Sequence, residues 1–140
     1  RKDPVETWGL GVGKIIIVVH GTPRWFIAPI PNQEVGTITP ILPLLTELVA
    51  ERMELPRVVV DMGAVPYVAR GADIMAPGIV EMDPGLTKGT FSMVVDIRNH
   101  KPLSIGILLH NGEEIMATRK GKAMETIHYV GDMIWKLTSK

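Results

Sequence analysis

Asp61-Met-Gly-Ala-Val-Pro-Tyr-Val-Ala-Arg-Gly-Ala-Asp-Ile-Met-Ala-Pro-Gly-Ile79 is the stretch around which the rest of the chain can be arranged. It follows Val58-Val59-Val60, a β-branched run that reads as a buried strand. Asp61 has the chemistry of a helix N-cap, because its carboxylate can accept the free N–H groups of a first turn. Met62 to Arg70 then reads as a short helix with Val65, Val68 and Ala69 facing inward. Pro66 limits it, since only the first turn or so of a helix tolerates proline. Gly71 stands where a residue of positive φ ends a helix. Ala72 to Met75 reads as a second short strand and Pro77-Gly78 as a turn. Gly71 has two readings: a helix stop, which on its own is the stronger, or a loop at Arg70-Gly71-Ala72 that another molecule's backbone can approach closely.

Upstream, Val5 to Leu10 reads as a strand, and Gly9, Gly11 and Gly13 as turn chemistry. Their spacing matches no dinucleotide fingerprint, and Ile15 stands where a phosphate loop needs Ser or Thr after its lysine. Ile15 to Val19 and Arg24 to Ile30 flank Gly21-Thr22-Pro23 and predict a hairpin. Asn32 to Gly36 reads as a loop. Pro43 starts a helix through Arg52, with Leu44, Leu45, Leu48 and Val49 on one face. Met53 to Pro56 is too short for a flexible linker, so the two halves are expected to pack together.

Downstream, Phe91 to Ile97 and Leu103 to Leu109 alternate with period two around an Asn99–Pro102 turn, which predicts an antiparallel pair. Gly106 in mid-strand predicts a bulge or bend. Asn111 to Thr118 predicts a helix ending near Arg119, Ala123 to Tyr129 a strand, and Met133 to Leu137 a closing strand. Many short strands with little helix indicate a small barrel.

The 140 residues carry 15 basic and 15 acidic side chains, a balance that does not advertise a nucleic-acid binder. The distribution is uneven: residues 61–97 hold 2 basic and 5 acidic groups, and residues 98–140 hold 7 and 4. Any basic surface must draw on the C-terminal third, with help from Arg70. The absence of cysteine removes disulfides, thiolate chemistry and a zinc ribbon. His20, His100, His110 and His128 form no i, i+4 pair, so no metal site is expected. Ser92, Ser104 and Ser139 sit in no nucleophile elbow, so no catalytic residues and no cofactor are expected. Trp8, Trp25 and Trp135 are assigned to the core, with Trp135 the one placed to edge an RNA surface. No apolar run reaches membrane-spanning length, and a soluble, cytoplasmic protein is expected.

Asp61, Gly63-Ala64, Val68, Gly71-Ala72, Met75 and Pro77-Gly78 together resemble the start of a PUA domain, the RNA-binding module of pseudouridine synthases and archaeosine transglycosylases. Lys120-Gly121-Lys122-Ala123, Ile127-His128-Tyr129 and Gly131-Asp132-Met133-Ile134-Trp135 resemble its end. The order of Lys2-Asp3-Pro4-Val5, the hairpin, Pro43-Leu44-Leu45 and the barrel is similar to the malignant T-cell-amplified sequence family, in an archaeal-type relative. The loop from Asn32 to Thr39 is longer than that family leads one to expect.

The resemblance implies an α+β chain: a small N-terminal α/β domain over residues 1–56, truncated at its start, then a PUA-type mixed β-barrel over 57–140. The chain opens on Arg1, and a helical segment is expected upstream of it. The implied function is non-catalytic RNA binding in translation, on tRNA or small-subunit ribosomal RNA. Carried over, the RNA face comprises Arg70, Gly71 and Ala72, with Lys120, Lys122 and Lys136 as phosphate neighbours. The alternatives are an accessory module of a tRNA- or rRNA-modifying enzyme, of archaeosine transglycosylase or pseudouridine synthase type, and a protein-interaction module. In the last, residues 1–56 dock a partner resembling density-regulated protein, and an exposed apolar patch on the hairpin or the Leu44/Leu48 face would favour it.

Overall fold

In the computed structural model, which describes residues 4–34 and 36–139, the valine run is β5 (Arg57–Val60), and Val58, Val59 and Val60 are all buried. Lys2 and Asp3 of the upstream resemblance lie outside the described residues. Ahead of β5, three strands form a meander: β1 (Val5–Gly9), β2 (Ile15–Val19) and β3 (Thr22–Ile27). The short β4 (Leu42–Pro43) completes a four-stranded sheet in the order β1-β2-β3-β4. Pro43 thus ends a strand instead of starting a helix, and α1 is only Leu45–Val49. It still buries Leu45 and Leu48, as their spacing predicts. Glu47 is buried on the same helix because Arg24 and Arg52 both donate to its carboxylate.

The remaining strands are β6 (Ile74–Met75), β7 (Ile79–Met82), β8 (Phe91–Asp96), β9 (Pro102–Leu108) and β10 (Lys122–Tyr129). With β5 they form one six-stranded sheet in the order β6-β10-β9-β8-β5-β7. Only the β5–β8 ladder is parallel. The expected closed barrel is corrected here, because the two edge strands, β6 and β7, do not pair. They are consecutive in the chain, joined by the 3-10 turn Ala76–Gly78. Pro77 lacks an N–H to continue a ladder there, and a two-residue β6 offers little to pair with. Gly106 answers its sequence reading: it faces Thr126, beside the β10 bulge between Thr126 and His128, and a Cβ there would stand 2.7 Å from the Glu125 carbonyl oxygen.

Two apolar clusters hold the layers together. One joins the four-stranded sheet and α1 (Ile16, Phe26, Leu44, Leu48) to one face of the larger sheet (Met93, Val95, Ile105). The other, including Val60, Val94, Leu108 and Met124, fills the opposite face under the helices α2 (Val65–Val68) and α3 (Gly112–Thr118). The two halves therefore pack directly, as the short Met53–Pro56 connector requires.

The final segment is not a closing strand. It is a helix, α4 (Met133–Thr138), whose N-cap Asp132 accepts the Trp135 N–H at 2.7 Å. The other Asp132 oxygen accepts the Tyr129 N–H and faces Nδ1 of His128 at 2.8 Å. Trp135 is half-buried against the first apolar cluster, but Trp8 is 38% exposed on the edge strand β1 and Trp25 is half-buried on the outer face of β3, so the core assignment of both is corrected.

Burial alone would raise the Asp132 pKa, but the His128, Trp135 and Tyr129 hydrogen bonds outweigh it and hold the carboxyl below its usual range. A depressed folded pKa means that this stabilisation is complete above the unfolded value and is lost as pH falls through the folded one. Asp132→Ala is therefore expected to cost about 2–4 kcal/mol in urea unfolding at pH 7, from one cap and two further stranded donors. The difference between variant and parent should shrink below about pH 4, near the unfolded carboxylate value. A constant difference down to pH 2 would contradict the assignment.

Candidate nucleic-acid interface

Asp61 opens the site as expected, but through a turn. Its Oδ1 accepts the Ala64 N–H at 2.9 Å, and helix geometry begins only at Val65. With Pro66 inside a four-residue helix and Val68 buried, Tyr67 is left on the outer side, 63% exposed. Gly71 has φ +90°, in the left-handed region its position as a helix stop predicts. It has a second reason to be glycine: an added Cβ would lie 2.5 Å from Cε1 of Tyr129. The room left by the missing side chain is thus filled by this chain's own tyrosine.

The backbone N–H groups of the loop are also engaged internally. Those of Arg70 and Ala72 donate to the Tyr67 carbonyl and that of Gly71 to the Val68 carbonyl. The Ala72 carbonyl accepts the Thr126 hydroxyl, and Asp73 Oδ1 accepts the Thr126 N–H, both at 2.9 Å. The loop is therefore a fixed ledge on β10, offering outward the Arg70 side chain and the exposed Ala72.

Of the sequence-derived residues, Arg70, Gly71 and Ala72 are consecutive on the ledge, and Lys122 is tied to it through Asp73. Lys122 Nζ is 3.1 Å from Asp73 Oδ2, and Lys122 is opposite Met75 in the β6–β10 register. The Asp73 hydrogen bond, then its charge, raises the ammonium pKa. Lys122 so anchors the loop as well as carrying charge. Lys120 is exposed one residue before Gly121, whose carbonyl accepts the Ala76 N–H at 2.8 Å. Lys136 is exposed on α4, and no hydrogen bond or ion pair ties it to the loop among the described residues.

Sequence reasoning missed Tyr67, Asp73, Met75 and Tyr129. Between α2 and β6 runs a cleft of about 420 Å³, lined by Asp61, Tyr67, Ala72, Asp73, Met75 and Pro77 among others. Met75 is 50% exposed at its edge. The alternation Ile74-in, Met75-out and the outward position of Tyr67 on the helix were legible from spacing alone. The cleft combines an aromatic face, an apolar floor and two carboxylates, one of which, Asp73, is paired with Lys122. Such a surface can stack a planar group and hydrogen-bond its edge. Among the described residues, no group of three potential metal ligands is assembled, and no helix is long and apolar enough to cross a membrane.

The PUA domain family model matches residues 56–130, which include the whole ledge and cleft. A protein of Methanocaldococcus jannaschii is 41% identical over 107 residues, 76% of this chain and 64% of its own length. Translation machinery-associated protein 20 of Saccharomyces cerevisiae is 37% identical over 89 residues, 59% of this chain and 49% of its own length. Malignant T-cell-amplified sequence 1 of Rattus norvegicus is 30% identical over 140 residues, 98% of this chain and 72% of its own length. A crystal structure of a hypothetical protein from Pyrococcus horikoshii superposes with a TM-score of 0.78 at 36% identity, covering 96% of this chain and 78% of that one. The chain therefore spans about half to two thirds of the first two relatives it matches.

Gly71→Ala places a methyl group against Tyr129 at a positive φ and is expected to destabilise by roughly 2–4 kcal/mol, from overpacking plus backbone strain. Tyr129→Ala should relieve the steric part, so the two substitutions together should cost less than the sum of each alone, measured as a double-mutant cycle in urea. Additive costs would show that the ring does not fill the glycine's place.

Proposed function

The chain belongs to the PUA-domain family, among the malignant T-cell-amplified sequence proteins, and from that premise we propose that it is a non-catalytic RNA-binding protein of translation that takes tRNA or small-subunit ribosomal RNA. The observation that carries the proposal is the cleft beside the glycine ledge, with Tyr67 exposed at its mouth and Lys122 paired with Asp73 on its wall. Phosphate contacts from Arg70, Lys120 and Lys122 position the RNA on a protein of zero formal net charge. An unpaired base splayed onto Tyr67 supplies the contact that a duplex cannot make. Lys136, exposed on α4, is a further candidate phosphate contact. The name of the yeast relative points to the translation machinery, and a PUA domain points to RNA.

A second reading is favoured by the outer face of the hairpin. Val5 is 52% exposed there, and Ile15, Ile17, Val19, Trp25 and Ile27 are only half-buried. Such a face suits a protein partner, one resembling density-regulated protein. The Leu44/Leu48 face does not, because both residues are buried.

The test is tRNA binding by Tyr67→Ala, Arg70→Glu and Lys14→Glu at two salt concentrations. Three phosphate contacts should give a log–log salt slope of about −2 to −3. Arg70→Glu should weaken binding and flatten the slope, and Tyr67→Ala should weaken binding by roughly 1–3 kcal/mol with the slope unchanged. Lys14→Glu should leave both intact. Equal losses in all three variants would refute a localised face, and absence of tRNA and ribosomal RNA binding would transfer the reading to the hairpin.

A further inference from the structure

A second cavity, of about 620 Å³, lies at the seam between α1 and the β8–β9 turn. Leu48 and Met93 on its wall belong to the first core cluster, whereas Val68 and Ile74 at the RNA cleft belong to the second. The two openings are therefore on different faces of the six-stranded sheet. The seam cavity falls in the size range of small-ligand sites.

Its floor is apolar, from Leu48, Met53, Met93 and Pro102. Its rim carries charge of both signs. Glu51 and Glu54 come from the segment after α1, and Arg57, His100 and Lys101 gather at the β8–β9 turn. Among the described residues none of Glu51, Glu54, Arg57 or Lys101 is in an ion pair. Opposite charges that border one opening and leave each other unpaired are free to take their counter-charges from a ligand.

The basic side is also held in place. Asp96 is 4% exposed, and its Oδ1 accepts the Asn99 N–H at 2.6 Å while Oδ2 accepts the Lys101 N–H at 3.3 Å. These bonds fix the turn, and Arg57 Nη1 lies 3.4 Å from His100 Nδ1. The guanidinium of Arg57, at the start of β5, and the ammonium of Lys101, on this turn, border the same side of the opening, where both can meet a carboxylate. A polyanion would meet Glu51 and Glu54 in the same opening, and like-charge contacts oppose it.

We propose that this seam groove docks a peptide segment of a protein partner, an apolar side chain flanked by an acidic residue that meets Arg57 and Lys101 and a basic residue that meets Glu51 and Glu54. The site is separate from the RNA cleft and does not depend on it.

Random peptides displayed on phage and selected on the full chain should be enriched in an apolar residue between an acid and a base. A synthetic peptide from that set should lose about tenfold or more in affinity for the Glu54→Lys/Lys101→Glu variant, because both rim contacts become repulsive. The same peptide with its acidic and basic residues exchanged should bind the variant better than the parent. Should the double reversal lower the melting temperature, Lys101→Met alone should weaken the original peptide but not one lacking its acidic residue. No enrichment, enrichment without the charge pattern, or an affinity indifferent to these substitutions would overturn the proposal.

Discussion

His128 is fully buried, and both of its ring nitrogens are committed. Nε2 accepts the Leu45 N–H at 3.2 Å, so the proton of the neutral ring is on Nδ1, which donates to Asp132 at 2.8 Å. The first bond satisfies a free donor at the start of α1, in the N-terminal half. The second fixes the carboxylate that starts α4 and receives the Tyr129 N–H. Tyr129 in turn fills the place left open by Gly71. One imidazole on β10 thus links the seating of α1, the entry into α4 and the shape of the glycine ledge. Phe26 closes the pocket, its ring 5.0 Å from the imidazole and edge-on to it. A second proton on the ring would set Nε2–H against Leu45 N–H, two donors with no acceptor between them.

The same dependence separates what was legible in the sequence from what was not. The Val58–Val60 strand, the Ile15–Val19 hairpin, the β8–β9 pair and the helix ending at Arg119 are all set by local pattern and turn chemistry, and all appear. Met133 to Leu137 is too short for periodicity to separate strand from helix, and only the Asp132 cap decides it. A buried His128 could not be told from an ordinary strand residue, because its partners Leu45 and Asp132 are assembled by the fold. Pro43 offered a helix start by rule, but pairing with Trp25 in β3 claimed it for a strand. Barrel closure failed as an expectation because it depends on whether β6 and β7 meet, which strand count does not reveal.

The site divides in the same way. Gly71 was readable as a helix stop because positive φ is a local demand, whereas Arg70 entered through the family resemblance. The role of Lys122 was not readable, since its tie to Asp73 joins residues 49 apart in the chain. Tyr67 and Met75 were visible as outward positions on short elements, but an exposed apolar side chain gains meaning only when a cleft opens beside it. The chain's zero formal charge also gave no sign of a candidate nucleic-acid surface. What distinguishes this surface is a ledge fixed by internal hydrogen bonds beside an exposed tyrosine, rather than charge in bulk.

The central claim is that RNA meets this protein at the glycine ledge and its cleft. Ultraviolet crosslinking of bound tRNA to the full chain, with the attached peptides identified by mass spectrometry, tests it most directly. The account predicts crosslinks confined to two segments, Asp61 to Gly78 and Arg119 to Tyr129, with Tyr67 among the modified residues. Crosslinks concentrated on the hairpin of residues 5–27, or spread evenly over the surface, would contradict it.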